Sequence, residues 1–230
     1  MIFGKIDYIN LLPFHIFLKQ SSLNNAFKKA VEHKKGVPSS INNAFEKRKV
    51  SAAFISSIKS NKKEIKRLPL GIVAKNSVKS VIVKKGNYLY DPASATSNIL
   101  SRVLDIQGEV IIGDRALKEY IKNPSKYTDL AKTWSDKYHL PFVFAVLCTN
   151  KYHTTYKKLA NNFKKRNIKI PGYILQDYAK KRGINAKEIK EYLKLITYDI
   201  NKKERKSLEL FLKKSKALGI KNHMHNSVQK

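Results

Sequence analysis

Short apolar runs bordered by small polar residues, most of them alternating with segments of helical period, recur along most of this chain. "DYINLLPF" (residues 7 to 14), "SAAFISS", "SVKSVIVKKG" and "GEVIIGDRALKEYI" all hold such a run, and the last runs straight on into a helical segment. Runs of that length, rich in β-branched and aromatic residues, read as buried strands. Strands that alternate with helices argue for α/β layers with parallel pairing. At 230 residues the chain can bury its core as one large domain or two small ones.

Met1 to Ile9 reads as the first strand, and about Phe14 through Ala30 as a helix. "GVPSSINNAFEKRKV" sets paired serines before a second helix, with Ser39 or Ser40 as its N-cap. "SAAFISS" is a strand ending on Ser56 and Ser57. "RLPLGIVAK" and "SVKSVIVKKG" follow as consecutive strands, the second carrying Ser77 and Ser80. Near Tyr88 the pattern restarts, with a polar turn, a helix from about Thr96, a further strand, and Gly113 and Asp114 at the next switch. "LPFVFAVLCTN" is the last strong strand. Beyond it the chain is helical, with Ile189, Tyr192, Leu193 and Ile196 on one face, and Leu208, Phe211, Leu212 and Leu218 on another before Gly219. The tail after Lys221 is polar. Two blocks joined by continuous strands, with helices returning at the end, imply two lobes connected by two crossings.

A formal charge of +30 would ordinarily point to a polyanion. Here the lysines are scattered on the polar faces of helices, as in "KKERKSLELFLKKSKALG", and no nucleic-acid-binding motif accompanies them. A nucleic-acid partner is therefore not expected, although such a field would speed the arrival of a small anion. One cysteine, Cys148, rules out an internal disulfide framework, and the six histidines show no zinc-ligand spacing with it. No secretory leader or membrane span is read in the sequence, so a cytoplasmic protein is expected.

The small polar residues gather at strand ends and helix starts: Asn10, Ser39, Ser40, Ser56, Ser57, Ser80, Ser94, Thr96 and Ser97. In open α/β sheets those ends share a rim where ligands bind. A helix N-terminus also offers free N–H groups and partial positive charge to a carboxylate. Each residue alone has a plainer use, Asn10 in a turn before Pro13 and the serines as helix caps. As a set, they suit a cleft for a molecule with two carboxylates. The set contains no Ser-His-Asp order, paired acid and base carboxylates, phosphate-cradling glycine loop or metal cluster. Asp114 reads as a cap of the helix it opens, and His15 and His139 as packing or surface residues.

Several stretches resemble, in order, the MqnA family, the chorismate dehydratases of the futalosine route to menaquinone. They are "YIN" before Pro13, "GVPSSIN", "AAFISS", "SVKSVIV", "SATSNIL", "IIGDRAL" and "DLAKTWSDKYHLPFVFAVL". They cover residues 1 to about 150, with weaker similarity beyond. The chain departs from the family in its lysine content and at Ala131, where a glycine is usual. The resemblance implies a two-lobed, periplasmic-binding-protein-like α/β fold (type II) with the ligand between the lobes. Lobe 1 would comprise residues 1–80 and 146–230, and lobe 2 residues 81–145. The sister naphthoate synthase, MqnD, shares that fold but opens with a Ser-Pro-Cys-Pro-Asn type motif in place of "DYINLLPF". A non-catalytic binding protein for a small carboxylate is the other alternative.

The implied reaction removes water from chorismate, a dianion, to give 3-[(1-carboxyvinyl)oxy]benzoate, and needs no metal or cofactor. The ring proton to be lost is vinylogous to the ring carboxylate, so charge builds there as the proton leaves, and donors held there favour the transition state. The resemblance implies Asn10 and Ser80 as the catalytic pair, with Ser39, Ser40, Ser56, Ser57, Thr96 and Ser97 serving the carboxylates. The substrate's second carboxylate could take the proton, in keeping with the missing protein base.

Overall fold

The computed structural model describes residues 1–219; the polar tail after Lys221 lies outside the described residues. The chain opens with β1 (Phe3–Ile6), a 3-10 turn at Ile9–Leu11, α1 (Leu12–Gln20) and α2 (Asn25–His33). The single helix expected from Phe14 to Ala30 is thus two, because Asn24 accepts the Phe27 N–H and starts a new one. The first strand is also shorter than expected, which leaves Asn10 in the turn beyond it. Next come β2 (Lys35–Gly36), α3 (Pro38–Glu46), β3 (Ala52–Ser56) and β4 (Lys66–Ala74). α3 is not capped by Ser39 or Ser40: Pro38 takes the first helical position, so Val37 is the N-cap and the serines fall inside the first turn.

The chain then crosses to a second sheet built from β5 (Val81–Lys85), β6 (Gly108–Ile112) and β7 (Tyr127–Asp129), with α4 (Ala95–Val103), α5 (Gly113–Lys122) and α6 (Leu130–Tyr138) around it. It returns as β8 (Phe142–Thr149), followed by α7 (His153–Lys164), α8 (Gly172–Arg182), α9 (Ala186–Lys194), β9 (Ile196–Asp199) and α10 (Lys202–Ala217). The larger sheet has the order β2-β1-β3-β8-β4-β9 and the smaller β6-β5-β7.

The expected parallel pairing holds only for β1 with β2 and with β3. β8 runs antiparallel to both β3 and β4, β9 is antiparallel to β4, and the smaller sheet is antiparallel throughout. For β8 the cause is the second crossing, since a chain re-entering from the other lobe meets the outgoing strands head-on. Ser77 and Ser80 accordingly lie before β5, in the crossing itself. Beneath β1 and β3 the rings of Phe3, Phe14, Phe54 and Phe163 pack at centroid separations of 5.1 to 6.3 Å. Each fully buried ring of this kind contributes about 1.5–3 kcal/mol. A Cβ on Gly4 would sit 2.9 Å from Ile41, so glycine there lets α3 close on β1. The C-terminal α10 packs on both β8 and α4. Phe211 meets Trp134 and Phe142, and Trp134 Nε1 donates to Ser207 Oγ at 3.0 Å.

Candidate functional site

A cleft open to solvent at its mouth lies between the two sheets. Asn10 enters it from the 3-10 turn, Ser56 from the end of β3, and Val78 and Ser80 from the crossing. Pro38 opens α3 at its edge, while Ser94 and Ser97 come from the start of α4 and Gly113 from that of α5. Phe54, Ile72, Ile112 and Phe144 supply apolar wall. Among the described residues no lining residue is charged, despite the chain's overall excess of lysine. Among the described residues no group of three His, Cys, Asp or Glu is placed to hold a metal ion.

The polar groups are fixed by neighbours. Ser80 is 2% exposed, and its Oγ lies 2.9 Å from the hydroxyl of Tyr192 on α9. Burial raises the pKa of that phenol, so it stays neutral and able to donate. The Ser80 carbonyl accepts the Gly113 N–H at 2.8 Å. Asn10 has a buried Oδ1 with no hydrogen-bond partner, while its backbone carbonyl accepts from the Tyr198 hydroxyl at 2.6 Å. Asn42 holds Ser56 twice, accepting its N–H and donating to its Oγ, both at 3.2 Å. A buried amide oxygen left empty costs free energy comparable to a lost hydrogen bond, and ligand binding can recover it.

Tyr8 was not singled out from the sequence, yet it lines the cleft. Burial, then the charges of Asp91 and Asp114, push its phenol up to about 12, which keeps it a neutral donor. Its ring lies on Gly113, where φ is +72° and an added Cβ would come within 2.8 Å of it. Only glycine combines that conformation with that contact. α4 is capped by Ser94, whose Oγ accepts the Ser97 N–H at 3.2 Å and donates to Ser97 Oγ at 2.8 Å. Neither α3 nor α5 has a side-chain cap. Three helix N-termini thus begin at the cleft, supplying partial positive charge without a lysine.

Of the residues expected to serve carboxylates, Ser56 and Ser97 line the cleft. Ser57 does not, and its Oγ donates to the Val143 carbonyl. Thr96 Oγ1 accepts the Ile58 N–H at 3.3 Å, bonding α4 to the other sheet's body. Ser39 and Ser40 lie in the first turn of α3, beside the lining residue Pro38. Asp114, expected to cap α5, instead accepts the Ile9 N–H with Oδ1 and the Arg182 Nε–H with Oδ2. Burial raises its pKa against the lowering by those two donors. His15 is buried as a packing residue, with neither ring nitrogen partnered.

A family described by the words "menaquinone biosynthesis" matches residues 1–107 and 84–217 of the chain. The chorismate dehydratase of Campylobacter jejuni subsp. jejuni serotype O:23/36 (strain 81-176) is 50% identical over 222 residues, covering 96% of this chain and 100% of that protein. Among solved structures, a protein from Archaeoglobus fulgidus superposes with a TM-score of 0.66 at 13% identity, covering 94% of this chain and 97% of its own. A Candida albicans protein described as having the generic periplasmic binding protein fold gives 0.56 at 12% identity, over 97% and 91%. These two likenesses establish the fold: α/β, periplasmic-binding-protein-like, with the cleft between the sheets.

Proposed function

This chain belongs to the menaquinone biosynthesis family, and from that membership we infer that it is a chorismate dehydratase, a hydro-lyase yielding 3-[(1-carboxyvinyl)oxy]benzoate. One observation carries the assignment of the reaction to this cleft. The unpartnered amide oxygen of Asn10 and the tyrosine-held hydroxyl of Ser80 share an uncharged crevice onto which helix N-termini open.

In the reading we adopt, chorismate lies with its carboxylates toward the starts of α3, α4 and α5, within reach of Ser97 and of backbone N–H groups. Loss of the ring C3 proton sends its electron pair toward the ring carboxylate through the conjugated double bond. The C4–O bond then breaks, and the ring becomes aromatic. The C3 proton passes to the enolpyruvyl carboxylate and from there to the leaving hydroxyl, which departs as water, so the dianion is restored. Ser80 Oγ–H, held by the Tyr192 hydroxyl, and the amide of Asn10 would hydrogen-bond that hydroxyl as the C4–O bond breaks. Hydrogen bonds that strengthen as the carboxylate gains charge favour the transition state over the ground state. The site's donors are neutral, so the substrate's charge is met by dipoles alone.

Within the described residues, the lobe limits we adopt are 1–80 with 146–219, and 81–145, a division that falls within β8. Cys148, buried and free, suits the reducing cytoplasm, where we place the enzyme. No helix among the described residues is long and apolar enough to cross a membrane. The test is incubation of purified protein with chorismate, followed by ultraviolet absorbance and product identification. Growth of the benzoate's spectrum is expected. Tight chorismate binding without turnover would instead favour a binding protein, and an inert mixture would overturn the assignment.

A further inference from the structure

On two sides of the cleft, a backbone N–H from the larger sheet's body meets a side chain from the smaller sheet's helices. One contact is Ile58 to Thr96 and the other is Ile9 to Asp114, the latter at 3.0 Å. The second is charged. Asp114 is the second residue of α5, which packs on β5 and β6. Its remaining oxygen takes the Nε–H of Arg182, the last residue of α8. Arg182 Nη2 also donates to the Asp7 carbonyl at 2.8 Å and lies 3.5 Å from Asp7 Oδ2. The guanidinium stacks over Tyr178 at 4.1 Å, and the Tyr178 hydroxyl donates to Asp7 Oδ1 at 2.8 Å. Side-chain exposure is 17% for Asp114 and 14% for Arg182, so the pair is shielded from bulk water.

The Asp7 carbonyl and the Ile9 amide flank Tyr8 and lead directly into Asn10. One ion pair, between Asp114 of α5 and Arg182 of α8, two helices that pack on one another, grips both. Hydrogen bonds to charged groups are about twice as strong as neutral ones. Removing Arg182 leaves the Asp114 carboxylate partly buried without its counter-charge, while removing Asp114 leaves Arg182 with Asp7 alone. We propose that Asp114 and Arg182 form an interlobe clasp that positions residues 7–10 for turnover. Asp114 then acts through Tyr8 and Asn10 without touching substrate. The clasp's role in turnover rests on the reading of Asn10 as a ligand contact.

Asp114→Ala, Asp114→Asn and Arg182→Ala, made in the full chain, test it through chorismate kinetics, hydrogen–deuterium exchange and thermal unfolding. A displacement near 1 Å at a reacting group can cost about 100-fold, so kcat of Asp114→Ala should fall about 10–100-fold. KM should stay within about threefold, as expected for a group whose effect is felt mainly in the transition state. Exchange of the Ile9 amide should rise roughly tenfold or more while β3 and β8 keep their protection. Asp114→Asn keeps an oxygen for Ile9 but sets its NH₂ against the guanidinium, so it should fall between wild type and Asp114→Ala. Arg182→Ala should resemble Asp114→Asn. A wild-type kcat or unchanged Ile9 exchange in Asp114→Ala overturns the clasp, as does raised exchange throughout the protein. Asn10→Ala run alongside separates the two readings. If that variant turns over normally, the assignment of Asn10 fails, while Ile9 exchange still decides whether the clasp holds.

Discussion

The two walls of the cleft hold their polar groups in different ways. On the larger sheet's side and at the crossing, each group is fixed by a side chain distant in sequence: Ser56 by Asn42, Ser80 by Tyr192, and the Asn10 carbonyl by Tyr198. On the smaller sheet's side, Ser94 and Ser97 are held by one another within the first turn of α4. The first arrangement fixes positions in three dimensions, as chemistry at a reacting atom requires. The second fixes only a local helix start, whose partial charge acts through space and tolerates small movement. In the proposed function the first wall holds the reacting atoms, and the helix starts, two of the three on the second wall, hold charge.

The largest effects should therefore come from the first wall. Asn10→Ala and Ser80→Ala should each lower kcat about 100- to 1,000-fold, the range for losing one fixed group that hydrogen-bonds the reacting atoms. Steady-state kinetics on protein verified as folded checks this, and near-normal turnover in either variant would remove the distinction between the walls. Tyr192→Phe should cost about tenfold in kcat with KM little changed, the signature of a group felt in the transition state. In a Ser80→Ala background the same change should cost almost nothing more, because coupled residues are not additive. Equal losses in both backgrounds would mean that Tyr192 acts by another route.

The same contrast explains what could be read in the sequence. Asn10, Ser80 and Ser97 stood out because their motifs are local, and strand ends in open α/β sheets converge. Tyr192 read as one more residue on an apolar helix face, and its bond to Ser80 spans 112 positions. Asp114 read as a cap because an acid in a first helical turn usually is one, yet its N–H partner lies 105 positions earlier. Pro38 carries the signal that outweighs Ser39 and Ser40: a proline at the first helical position puts the cap at Val37. Strand direction failed for a topological reason, since local pattern is blind to the end from which a returning strand enters.

The second wall should respond in binding and in stability. Ser94→Ala removes the oxygen that accepts the Ser97 N–H, and losing such a cap costs about 1 kcal/mol. KM for chorismate should rise by roughly two- to fivefold, the scale of a single helix-terminus interaction of about 0.3–1 kcal/mol, while kcat stays close to wild type. Chemical denaturation beside the kinetics checks both parts. A drop in kcat larger than the rise in KM would place Ser94 with the reaction wall.

His15 should give the smallest effect on turnover, although it lies behind the reaction wall on α1. Burial, reinforced by Lys5 and opposed by Asp7, lowers its pKa from 6.5 to about 3, and neither ring nitrogen has a partner. Between those values the unfolded chain binds a proton that the folded chain does not. Stability therefore rises with pH across that window and is lost as pH falls below about 6.5, at a limiting slope of about 1.4 kcal/mol per pH unit. His15→Leu, close in volume and without a titrating group, should flatten that acid limb and leave kcat at neutral pH unchanged. Urea unfolding from pH 4 to 7 reads the slope. An acid limb identical in the variant would mean that carboxylates alone set acid stability, and a fall in neutral kcat would mean that the ring helps to place the Asn10 turn.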